Sequence, residues 1–434
     1  MHIVIFDIGK TNKKCFVFDE DYRIVFEKSE QLPETVDEDG VPCEDVVLLS
    51  DWVWNTFLTL LEDERFVVSG VNVTTYGASL VYLSHKAAQG PLERHTGIEL
   101  PLYNYLKPFP ENLKTRFFEK HGGEEKISLE TASPTLGSLN SGLQLYRLKH
   151  QKPDDFQKVK YALHLPQYVA SLISNEYFSD ITSIGCHTML WDFQKNDYHE
   201  WVRREGLDAK FPPQKESDSA TWVPIPISVG GEYHAFYVGV GLHDSSAALI
   251  PYLASFREPF VLISTGTWNI SLNPFNDNPL TFEELALDCL CYLTFQGKPV
   301  KASRLFAGHE HEQAVRRIAA QFGVAGDFYE RVRFSKSEEQ EEFSENYIAF
   351  MRQLVEKQVF STKLILTENT RRIFVDGGFS KNEIFMSLLA RAFPEMEVFA
   401  AEVPQATALG AALAIHRFWN KKPPPQNLIA LKRY

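Results

Sequence analysis

The sequence predicts an α/β fold made of two similar halves, and two glycine–threonine turns support that prediction. The first turn follows an apolar strand and reads Asp7-Ile8-Gly9-Lys10-Thr11-Asn12-Lys13. The second also follows an apolar strand and reads Ser264-Thr265-Gly266-Thr267. Each turn lies between two strands, which indicates an internal duplication at a separation too long for a solenoid repeat. Turns of this kind expose backbone N–H groups and hydroxyls, as the binding of a phosphate chain requires.

The length of the chain predicts the number of domains, and its net charge argues against one class of partner. A chain of 434 residues is too long to fold around a single hydrophobic core, so we expect two domains, residues 1–243 and residues 244–434. Its net charge of −13 argues against a nucleic-acid partner, because nothing offsets the repulsion of phosphates. The content of 44% hydrophobic and 23% charged residues is typical of a globular enzyme.

Cysteine usage and hydropathy predict a cytoplasmic protein without a membrane partner. The five cysteines are odd in number and scattered, which suits a reducing compartment. Cys289 and Cys291 are too close together and too isolated to predict a zinc site. The sequence shows no basic, apolar leader after Met1 and no apolar run near ~20 residues.

The first half reads as a strand-rich domain. The hairpin around the first turn is followed by a third strand at residues 22–27 and by a helix that Ser50 and Asp51 are predicted to cap. Strands follow at residues 66–73 and 80–83, and residues 85–130 read as an irregular insertion. Three hairpin strands, a helix and a strand are the opening of a ribonuclease H-like domain.

The second half repeats this order. A strand at residues 234–240 leads to Gly241-Leu242-His243-Asp244, and the second hairpin follows. Helices are predicted at residues 304–322 and 344–360. A strand at residues 372–375 then ends in Asp376-Gly377-Gly378-Phe379-Ser380, with a helix from Lys381 onward.

The glycine turns could bind a nucleotide. Asp7 could hold magnesium, directly or through water, while Thr11, Asn12 and Lys13 reach phosphate oxygens. Gly377-Gly378 precedes a helix and could let a ligand approach the backbone. Taken alone, the first turn could be an ordinary polar hairpin, and the double glycine a tight strand-to-helix connection.

Asp244 is the best candidate for a reacting group. As a general base it would take the proton from an attacking hydroxyl. The alternative is an N-cap, because Asp244 is followed by Ser245, Ser246 and a small apolar helix face.

Taken together, five motifs resemble those of the FGGY carbohydrate kinases, in the family's order and over nearly the whole chain. They are Phe6-Asp7-Ile8-Gly9-x-Thr11-Asn12-x-Lys14, Gly241-Leu242-His243-Asp244, Ser264-Thr265-Gly266-Thr267-Trp268, Asp376-Gly377-Gly378-Phe379-Ser380-Lys381-Asn382 and Ala406-Thr407-Ala408-Leu409-Gly410-Ala411-Ala412. The resemblance implies an α/β fold of two ribonuclease H-like (actin-like ATPase) domains that flank a nucleotide/sugar cleft. It also implies ATP and Mg²⁺, with the sugar bound mainly by the first domain.

The resemblance assigns roles to individual residues. Asp244 would be the catalytic base, and Asp7 would position the metal. Adenosine would contact Gly377, Gly378 and Asn382. The phosphates would be held by the two turns, at Gly9, Thr11, Asn12, Lys13, Thr265, Gly266 and Thr267.

The sugar is predicted less directly. Where xylulose and glycerol kinases carry a His or Arg in the segment that leads to the sugar, this chain has Tyr76, followed by Gly77 and Ala78. The Gly77-Ala78 pair and the Gly266-Thr267-Trp268 turn look more like the rhamnulose and fuculose kinases, whose deoxy sugars need an apolar surface for a methyl group. Thr75, Tyr76 and Trp268 could supply that surface, and His243 is a further predicted substrate contact. Aromatic residues beside strands are also common in cores. The alternative is a xylulose/ribulose or glycerol-type kinase of the same family.

Two further functions remain open on the sequence. One is a catalytically inactive regulator that binds a sugar or nucleotide, and the intact Asp7 and Asp244 argue against it. The other is a chaperone or filament protein of the actin-like class, against which His243-Asp244 argues. The predicted partner is a small-molecule sugar, with the chain a monomer or homodimer.

Overall fold

The computed structural model describes residues 1–85, 97–224, 234–333, 341–403 and 405–434. Contacts within the chain divide it into two compact units. Unit 1 comprises Met1–Ala254, Cys291–Lys298 and Gln405–Gln426, and unit 2 comprises Ser255–Leu290, Pro299–Pro404 and Asn427–Tyr434. Unit 1 thus extends one helix beyond the predicted boundary at residues 243 and 244, and the chain returns to it twice.

Unit 1 is built around a twisted sheet that opens as the sequence predicts. Its strands are β1 (His2–Ile8), β2 (Lys13–Asp19), β3 (Ile24–Glu30), β4 (Glu34–Val36), β5 (Pro42–Glu44), β6 (Val68–Thr75), β7 (Leu80–Ser84), β8 (Ile98–Leu100), β9 (Val159–His164), β10 (Trp191–Asp192), β11 (Asp197–Tyr198), β12 (Ala220–Pro224), β13 (Ala235–Gly239) and β14 (Leu242–His243). The main sheet has the order β12-β13-β6-β1-β2-β3, and β14 pairs with β6.

Strand β1 lies at the centre of this sheet. It is antiparallel to β2, with Asp7 opposite Lys14, and parallel to β6, with Asp7 opposite Thr74. The β1 side chains from Ile3 to Phe6 are fully buried. Because parallel neighbours end at the same edge, the carboxyl ends of β1, β6 and β14 bring the first turn, the segment after β6 and Asp244 to one edge of unit 1.

The helices of the first part of unit 1 are α1 (Val46–Glu62), α2 (Glu111–His121), α3 (Glu124–Glu130), α4 (Ser141–Gln151), α5 (Pro153–Lys158), α6 (Leu165–Ser174), α7 (Ile181–Ile184), α8 (Glu200–Arg204) and α9 (Asp244–Ser255), whose last residue opens unit 2. Helix α1 begins at Val46, four residues before the predicted cap at Ser50 and Asp51. Asp45 is its N-cap, and Oδ1 of Asp45 accepts a hydrogen bond from the backbone N–H of Leu48 at 2.9 Å.

The insertion predicted to be irregular is partly helical. Helices α2 and α3 lie within it, and they pack with α4 around Phe117 and Trp201, which are almost fully buried. Residues 86–96 of the same insertion lie outside the described residues. The prediction of irregular structure over residues 85–130 is therefore wrong for α2 and α3, because long-range packing of aromatic residues outweighs the proline and glycine breaks.

Unit 2 repeats the central arrangement. Its strands are β15 (Phe260–Thr265), β16 (Asn269–Asn273), β17 (Cys289–Leu293, shared with unit 1), β18 (Pro299–Leu305), β19 (Arg372–Gly377), β20 (Glu397–Glu402) and β21 (Ala430–Arg433). Strand β15 is antiparallel to β16 and parallel to β19, as β1 is to β2 and β6. The second turn and the double glycine therefore lie side by side at one edge, with Thr265 opposite Gly377.

The helices of unit 2 are α10 (Phe282–Ala286), α11 (Ala307–Phe322), α12 (Glu342–Lys363) and α13 (Glu383–Ala392). The chain then returns to unit 1 through α14 (Ala406–Ala414) and α15 (His416–Trp419). Helix α14 packs on β1 and β6, and its Ala411 carbonyl accepts a hydrogen bond from Asn72 Nδ2 at 2.8 Å. None of the helices in the described ranges is long and apolar enough to span a membrane.

Candidate active site

Asp7 lies at the end of β1 in unit 1, where its carboxylate is partly shielded from water. Burial is the largest influence and raises the pKa of Asp7 to about 6, and the negative charge of Asp244 acts in the same direction. A hydrogen bond from Thr407 Oγ1 to Asp7 Oδ2 at 2.7 Å and the charge of Lys14 oppose this rise. Asp7 and Asp244 are thus brought near each other within one unit.

The turn after β1 is closed by a hydrogen bond from the N–H of Gly9 to the carbonyl of Asn12 at 2.9 Å. The side chains of Thr11 and Asn12 are exposed, as expected of phosphate ligands. Asn12 Oδ1 accepts a hydrogen bond from Gln31 Nε2 at 3.0 Å. A side chain on Gly9 would approach the Asn12 carbonyl to 3.1 Å, so glycine keeps the turn tight.

Lys13, predicted to bind phosphate, is directed into the interior. Its side chain is 2% exposed and donates to the carbonyls of Gly9 and Lys10 at 3.2 and 3.0 Å. The Lys13 ammonium also pairs with the buried carboxylate of Glu44 at 2.9 Å. In this arrangement Lys13 supports the turn from behind instead of reaching outward.

Lys14 is the lysine on the outer side of the same strand. It lies opposite Asp7, and its charge lowers the pKa of Asp7. Its Nζ donates to Oε1 of Gln405 at 3.3 Å. Successive residues of a strand face opposite sides, so only one of the two lysines can face the turn's outer surface.

His243 and Asp244 join β14 to α9. His243 Nε2 lies 3.2 Å from Asp244 Oδ1, which also accepts a hydrogen bond from the backbone N–H of Ser245 at 2.6 Å. Burial lowers the pKa of His243, so the imidazole is neutral at pH 7. The Asp244 side chain is 35% exposed and stays accessible to a ligand.

Gly77 is explained by its contact with His243. A Cβ atom at Gly77 would lie 2.7 Å from Nε2 and Cδ2 of that imidazole, so no larger residue fits. The other face of His243 stacks on Tyr292, with ring centroids 5.6 Å apart. Tyr292 lies in the short segment by which the chain returns to unit 1, and no sequence motif singles it out.

Tyr76 and Ala78 flank Gly77 and are both buried. The Tyr76 hydroxyl donates to Glu44 Oε2 at 3.1 Å, and its ring lies edge-on to Tyr105 at 5.9 Å. Ala78 has a φ of +58°, and its carbonyl accepts a hydrogen bond from Gln144 Nε2 at 2.8 Å. The predicted sugar segment is therefore rigid, and the Tyr76 hydroxyl is engaged with Glu44.

In unit 2, Thr265 and Gly377 hold each other in place. The Thr265 hydroxyl accepts a hydrogen bond from the N–H of Phe379 at 3.0 Å and donates to the carbonyl of Asp376. Gly377 has a φ of +85°, and a Cβ atom there would lie 2.0 Å from the Thr265 carbonyl oxygen. Both residues thus fix the backbone where β15 and β19 end side by side.

The second turn presents Gly266 and Thr267, which are both exposed. The N-terminus of α11 lies against this turn, with the N–H of His309 directed at the Thr267 carbonyl at 3.3 Å. Gly308 permits this approach, because a Cβ atom there would lie 1.9 Å from the Gly266 carbonyl oxygen. The sequence analysis missed Gly308, since a single glycine in a helix carries no positional signal.

Trp268 belongs to unit 2 and is 40% exposed. Its ring packs on Phe306 with centroids 4.4 Å apart, and the Arg304 guanidinium lies 5.3 Å from the ring centre. The contacts of Trp268 described here are with its own unit. Its predicted role at the sugar stays a prediction.

A cavity of about 800 Å³ opens beside the double glycine of unit 2. A Cβ atom on Gly378 would meet nothing within 4 Å, so this backbone surface is open. Asn382 caps α13 through a hydrogen bond from the N–H of Phe385 at 3.0 Å, and its Nδ2 donates to the Tyr347 hydroxyl at 2.8 Å. The cavity is lined by Gly266, Gly308, His311, Tyr329, Glu330, Val332, Arg333, Gly378, Phe379, Lys381, Asn382, Glu383, Lys432 and Tyr434.

The lining of this cavity combines rings with charges. Burial lowers the pKa of His311 to about 4, so its imidazole is neutral and its Nε2 lies 2.8 Å from the Tyr347 hydroxyl. The same hydroxyl accepts a hydrogen bond from Asn382, so Tyr347 joins His311 to the capping residue of α13. The three cationic side chains Arg333, Lys381 and Lys432 exceed the two carboxylates Glu330 and Glu383.

One other group within the described ranges has the composition of a metal site: Glu130, Asp192 and His199. His199 Nδ1 accepts the backbone N–H of Trp201 at 3.1 Å, so the ring proton lies on Nε2 and is donated to Glu130 at 2.8 Å. A metal ion on Nε2 would require the ring proton to move to Nδ1, and Nδ1 already accepts the hydrogen bond from Trp201. The arrangement is a buried hydrogen-bonded cluster instead.

The second half of the chain matches a family model described as "Carbohydrate kinase FGGY, C-terminal domain", over residues 257–333 and 323–424. The match covers the second turn, the double glycine and α14. A comparison with curated proteins finds no match.

Solved structures share the fold over the whole chain. A carbohydrate kinase from Novosphingobium aromaticivorans is 24% identical with a TM-score of 0.77, covering 99% of this chain and 93% of the other. A xylulose kinase from Rhodospirillum rubrum is 13% identical with a TM-score of 0.80, covering 100% and 94%. A Plasmodium falciparum glycerol kinase with ADP is 17% identical with a TM-score of 0.70, covering 96% and 90%. The chain has the fold of these kinases, and its second half is similar to the C-terminal domain of the FGGY carbohydrate kinases.

Proposed function

We propose that this protein transfers the γ-phosphoryl group of ATP to the primary hydroxyl of a ketose. The observation that carries the proposal is the pair of carboxylates in unit 1. Asp244 is accessible at the start of α9, and its charge raises the pKa of the more buried Asp7. A general base and a cation ligand are the two carboxylate roles that phosphoryl transfer to a hydroxyl uses.

Asp244 would accept the proton of the sugar hydroxyl. Among the described residues, His243 and Ser245 contact Asp244 through its Oδ1 atom. We therefore assign the incoming proton to the other carboxylate oxygen, Oδ2. His243 is neutral, so it lies beside the Asp244 carboxylate without placing a full positive charge there.

The residues of unit 1 fit a magnesium ion. Asp7 offers a hard carboxylate ligand. A divalent cation would offset the cost of burying the charge of Asp7 and its repulsion by Asp244. We assign the ion to Asp7, bound directly or through water. When bound, Mg²⁺ neutralises charge on the phosphate oxygens.

ATP would place its adenosine in the cavity of unit 2, against the open backbone of Gly378. The excess of cationic side chains in the lining favours an anionic ligand. We assign the phosphate contacts to Gly266 and Thr267 in unit 2 and to Gly9, Thr11 and Asn12 in unit 1, all of which are exposed except the half-buried Gly9. Thr265, Gly377 and Asn382 act through the shape of the site.

L-rhamnulose and L-fuculose are the leading sugars. Tyr76 is 7% exposed and its hydroxyl is engaged with Glu44, so this position offers a sugar no free hydroxyl, which supports a deoxy sugar. D-xylulose is the second candidate, since the fold is shared with a xylulose kinase at a TM-score of 0.80.

A coupled assay of ADP release tests the proposal. The panel contains L-rhamnulose, L-fuculose, D-xylulose, L-ribulose, D-gluconate and glycerol, each with ATP and Mg²⁺. We expect turnover with at least one ketose and the strongest turnover with a 6-deoxy ketose. Sugar binding measured by calorimetry without any turnover would contradict the kinase and favour a regulator.

A further inference from the structure

Three buried side chains form a continuous polar connection in unit 1. Lys13 and Glu44 are 2% exposed in their side chains, and Tyr76 is 7% exposed. Lys13 Nζ lies 2.9 Å from the Glu44 carboxylate, and the Tyr76 hydroxyl donates to Glu44 Oε2 at 3.1 Å. We call Lys13, Glu44 and Tyr76 the buried link.

At one end, the buried link orients the first turn. The Lys13 ammonium holds the carbonyls of Gly9 and Lys10 at 3.2 and 3.0 Å. In a planar trans peptide the N–H points opposite to the C=O. The N–H groups of Lys10 and Thr11, which share those peptide planes, therefore point away from the ammonium and outward from the turn.

At the other end, the buried link fixes the segment that leads to His243. Tyr76 precedes Gly77, and Gly77 lies against the His243 imidazole so closely that a Cβ atom would be 2.7 Å from it. The ring of Tyr76 is also held edge-on by Tyr105. A ligand that displaces Tyr76 must therefore change the hydrogen bond between the Tyr76 hydroxyl and Glu44.

Glu44 itself has little freedom to follow such a change. It ends β5 and pairs with Glu34 of β4, and its backbone forms a bridge with Leu102. The next residue, Asp45, caps α1. Glu44 is thus a fixed point between two segments that carry predicted ligand contacts.

We propose that Glu44 is a positioning residue that joins the turn Gly9–Asn12 to the segment Tyr76–Ala78, so that a phosphate at the turn and a sugar at the segment bind cooperatively. The proposal rests on the proposed function for the identity of the two ligands. A carboxylate shared by an ammonium and a phenol is suited to this role, because loss of either partner leaves charge or hydrogen-bonding capacity buried and unsatisfied. Binding at one end therefore stabilises the geometry at the other.

The first test is amide hydrogen exchange of the ligand-free protein. Tyr76→Phe removes the hydroxyl from the buried link, and we expect exchange of the Gly9 amide, whose N–H is hydrogen-bonded to the Asn12 carbonyl, to speed up about tenfold, the effect of one lost hydrogen bond to a charged group. Tyr82→Phe is the matched control. Tyr82 is fully buried, and its hydroxyl has no hydrogen-bond partner among the described residues. Equal exchange rates of the Gly9 amide in Tyr76→Phe and the unmodified protein would overturn the proposal.

The second test measures cooperativity. The dissociation constant of the ketose turned over fastest in the panel is measured with and without a non-hydrolysable ATP analogue and Mg²⁺. We expect the analogue to tighten sugar binding in the unmodified protein and in Tyr82→Phe, and this gain to disappear in Tyr76→Phe and Glu44→Gln. A gain that persists in both variants would overturn the proposal. If no ketose is turned over, the proposed function fails, and the exchange experiment still decides whether the buried link reaches the turn.

Discussion

At residue 244 one carboxylate satisfies two structural demands. Asp244 is the first residue of α9, and its Oδ1 accepts a hydrogen bond from the backbone N–H of the next residue, Ser245, which is not the bond to the second or third helical N–H that a helix cap makes. Its side chain also remains 35% exposed and lies 3.2 Å from His243 Nε2. A helix start is a suitable place for a base, because it fixes the carboxylate without burying it.

Asp244→Asn should lower kcat by about two to four orders of magnitude, the effect of a lost general base. The amide oxygen can still accept from Ser245, so we expect folding and ATP binding to survive. Steady-state turnover and calorimetry of ATP binding measure the two effects. Turnover near that of the unmodified protein would remove Asp244 from the mechanism.

The two neighbouring glycines of unit 2 should respond differently to valine. Gly378→Val should raise the KM for ATP about tenfold or more with the fold intact, because its Cβ enters the open cavity. Gly377→Val should instead reduce stability by about 2 kcal/mol or more, because of its φ of +85° and the clash with Thr265. ATP kinetics and thermal unfolding separate these outcomes. Equal stability of both variants would contradict the assignment.

Asp7 should make the ligand-free protein less stable as the pH rises. The pKa of Asp7 is about 6 in the folded protein, against 3.8 as its ordinary value. The folded state therefore binds the proton of Asp7 more tightly than the unfolded state does. The contribution of this proton to the free energy of unfolding is fully present below pH 4 and is lost as the pH rises past 6. Asp7→Asn should stabilise unit 1 at pH 8 by about 1–2 kcal/mol while activity is lost. Thermal unfolding at pH 5 and pH 8 tests this, and a gain of equal size at both values would contradict it.

At the scale of elements, the sequence predicted the order of strands and helices better than their side-chain partners. The first hairpin, α9 and the strand before the double glycine lie where the motifs place them. Lys13 is different, because strand alternation does not reveal which of two adjacent lysines faces inward. That choice depends on Glu44, which is 31 positions away along the chain. Gly308 and Tyr292 likewise acquire their roles from tertiary packing.

Helix α12 packs on the sheet of unit 2 through polar side chains. Gln358 is fully buried; its Oε1 accepts from Asn269 Nδ2 at 2.9 Å, and its Nε2 donates to Ser271 and Thr362, both at 3.1 Å. Asn269 directly follows the second turn and Trp268. The polar contact therefore ties this helix to the strand that carries the turn.

Gln358→Leu should destabilise unit 2 by about 1–3 kcal/mol, because it leaves the Asn269 amide buried without its acceptor. It should also raise the KM for ATP more than that for the sugar. Gln353→Leu, at an exposed position of the same helix, is the control. Chemical denaturation and two-substrate kinetics measure the effects. Equal stability of the two variants would count against this role.

At the scale of the molecule, unit 1 is discontinuous in sequence. The predicted division at residues 243 and 244 follows the motifs, but α9 and the later segments Cys291–Lys298 and Gln405–Gln426 belong to unit 1. Trp419 shows why, because it is 1% exposed and packs on Gly70 and Tyr22. Sequence motifs mark local chemistry and do not reveal such long-range returns.

A chain that ends after Val403 should fail to complete unit 1. It lacks α14, whose contacts include Asn72 and Ala247, and the buried Trp419. A chain that ends after Gln426 is the control, since it keeps unit 1 and removes only β21 at the edge of the unit 2 sheet. Limited proteolysis with mass spectrometry should show rapid cleavage within residues 1–254 in the shorter chain alone. Protection of those residues in both chains would contradict the prediction.

This discontinuity also has a consequence during synthesis on the ribosome. After Ala254 has been made, the nascent chain must still extend to Gln426 before α14 and α15 can cover β1 and β6. At about 5–20 residues per second that delay is about 10–35 s. Throughout this time the apolar face that later receives Trp419 has no native cover. We therefore expect the nascent chain to engage chaperones mainly through its first half, and ribosome profiling of chaperone-bound nascent chains would locate that interval.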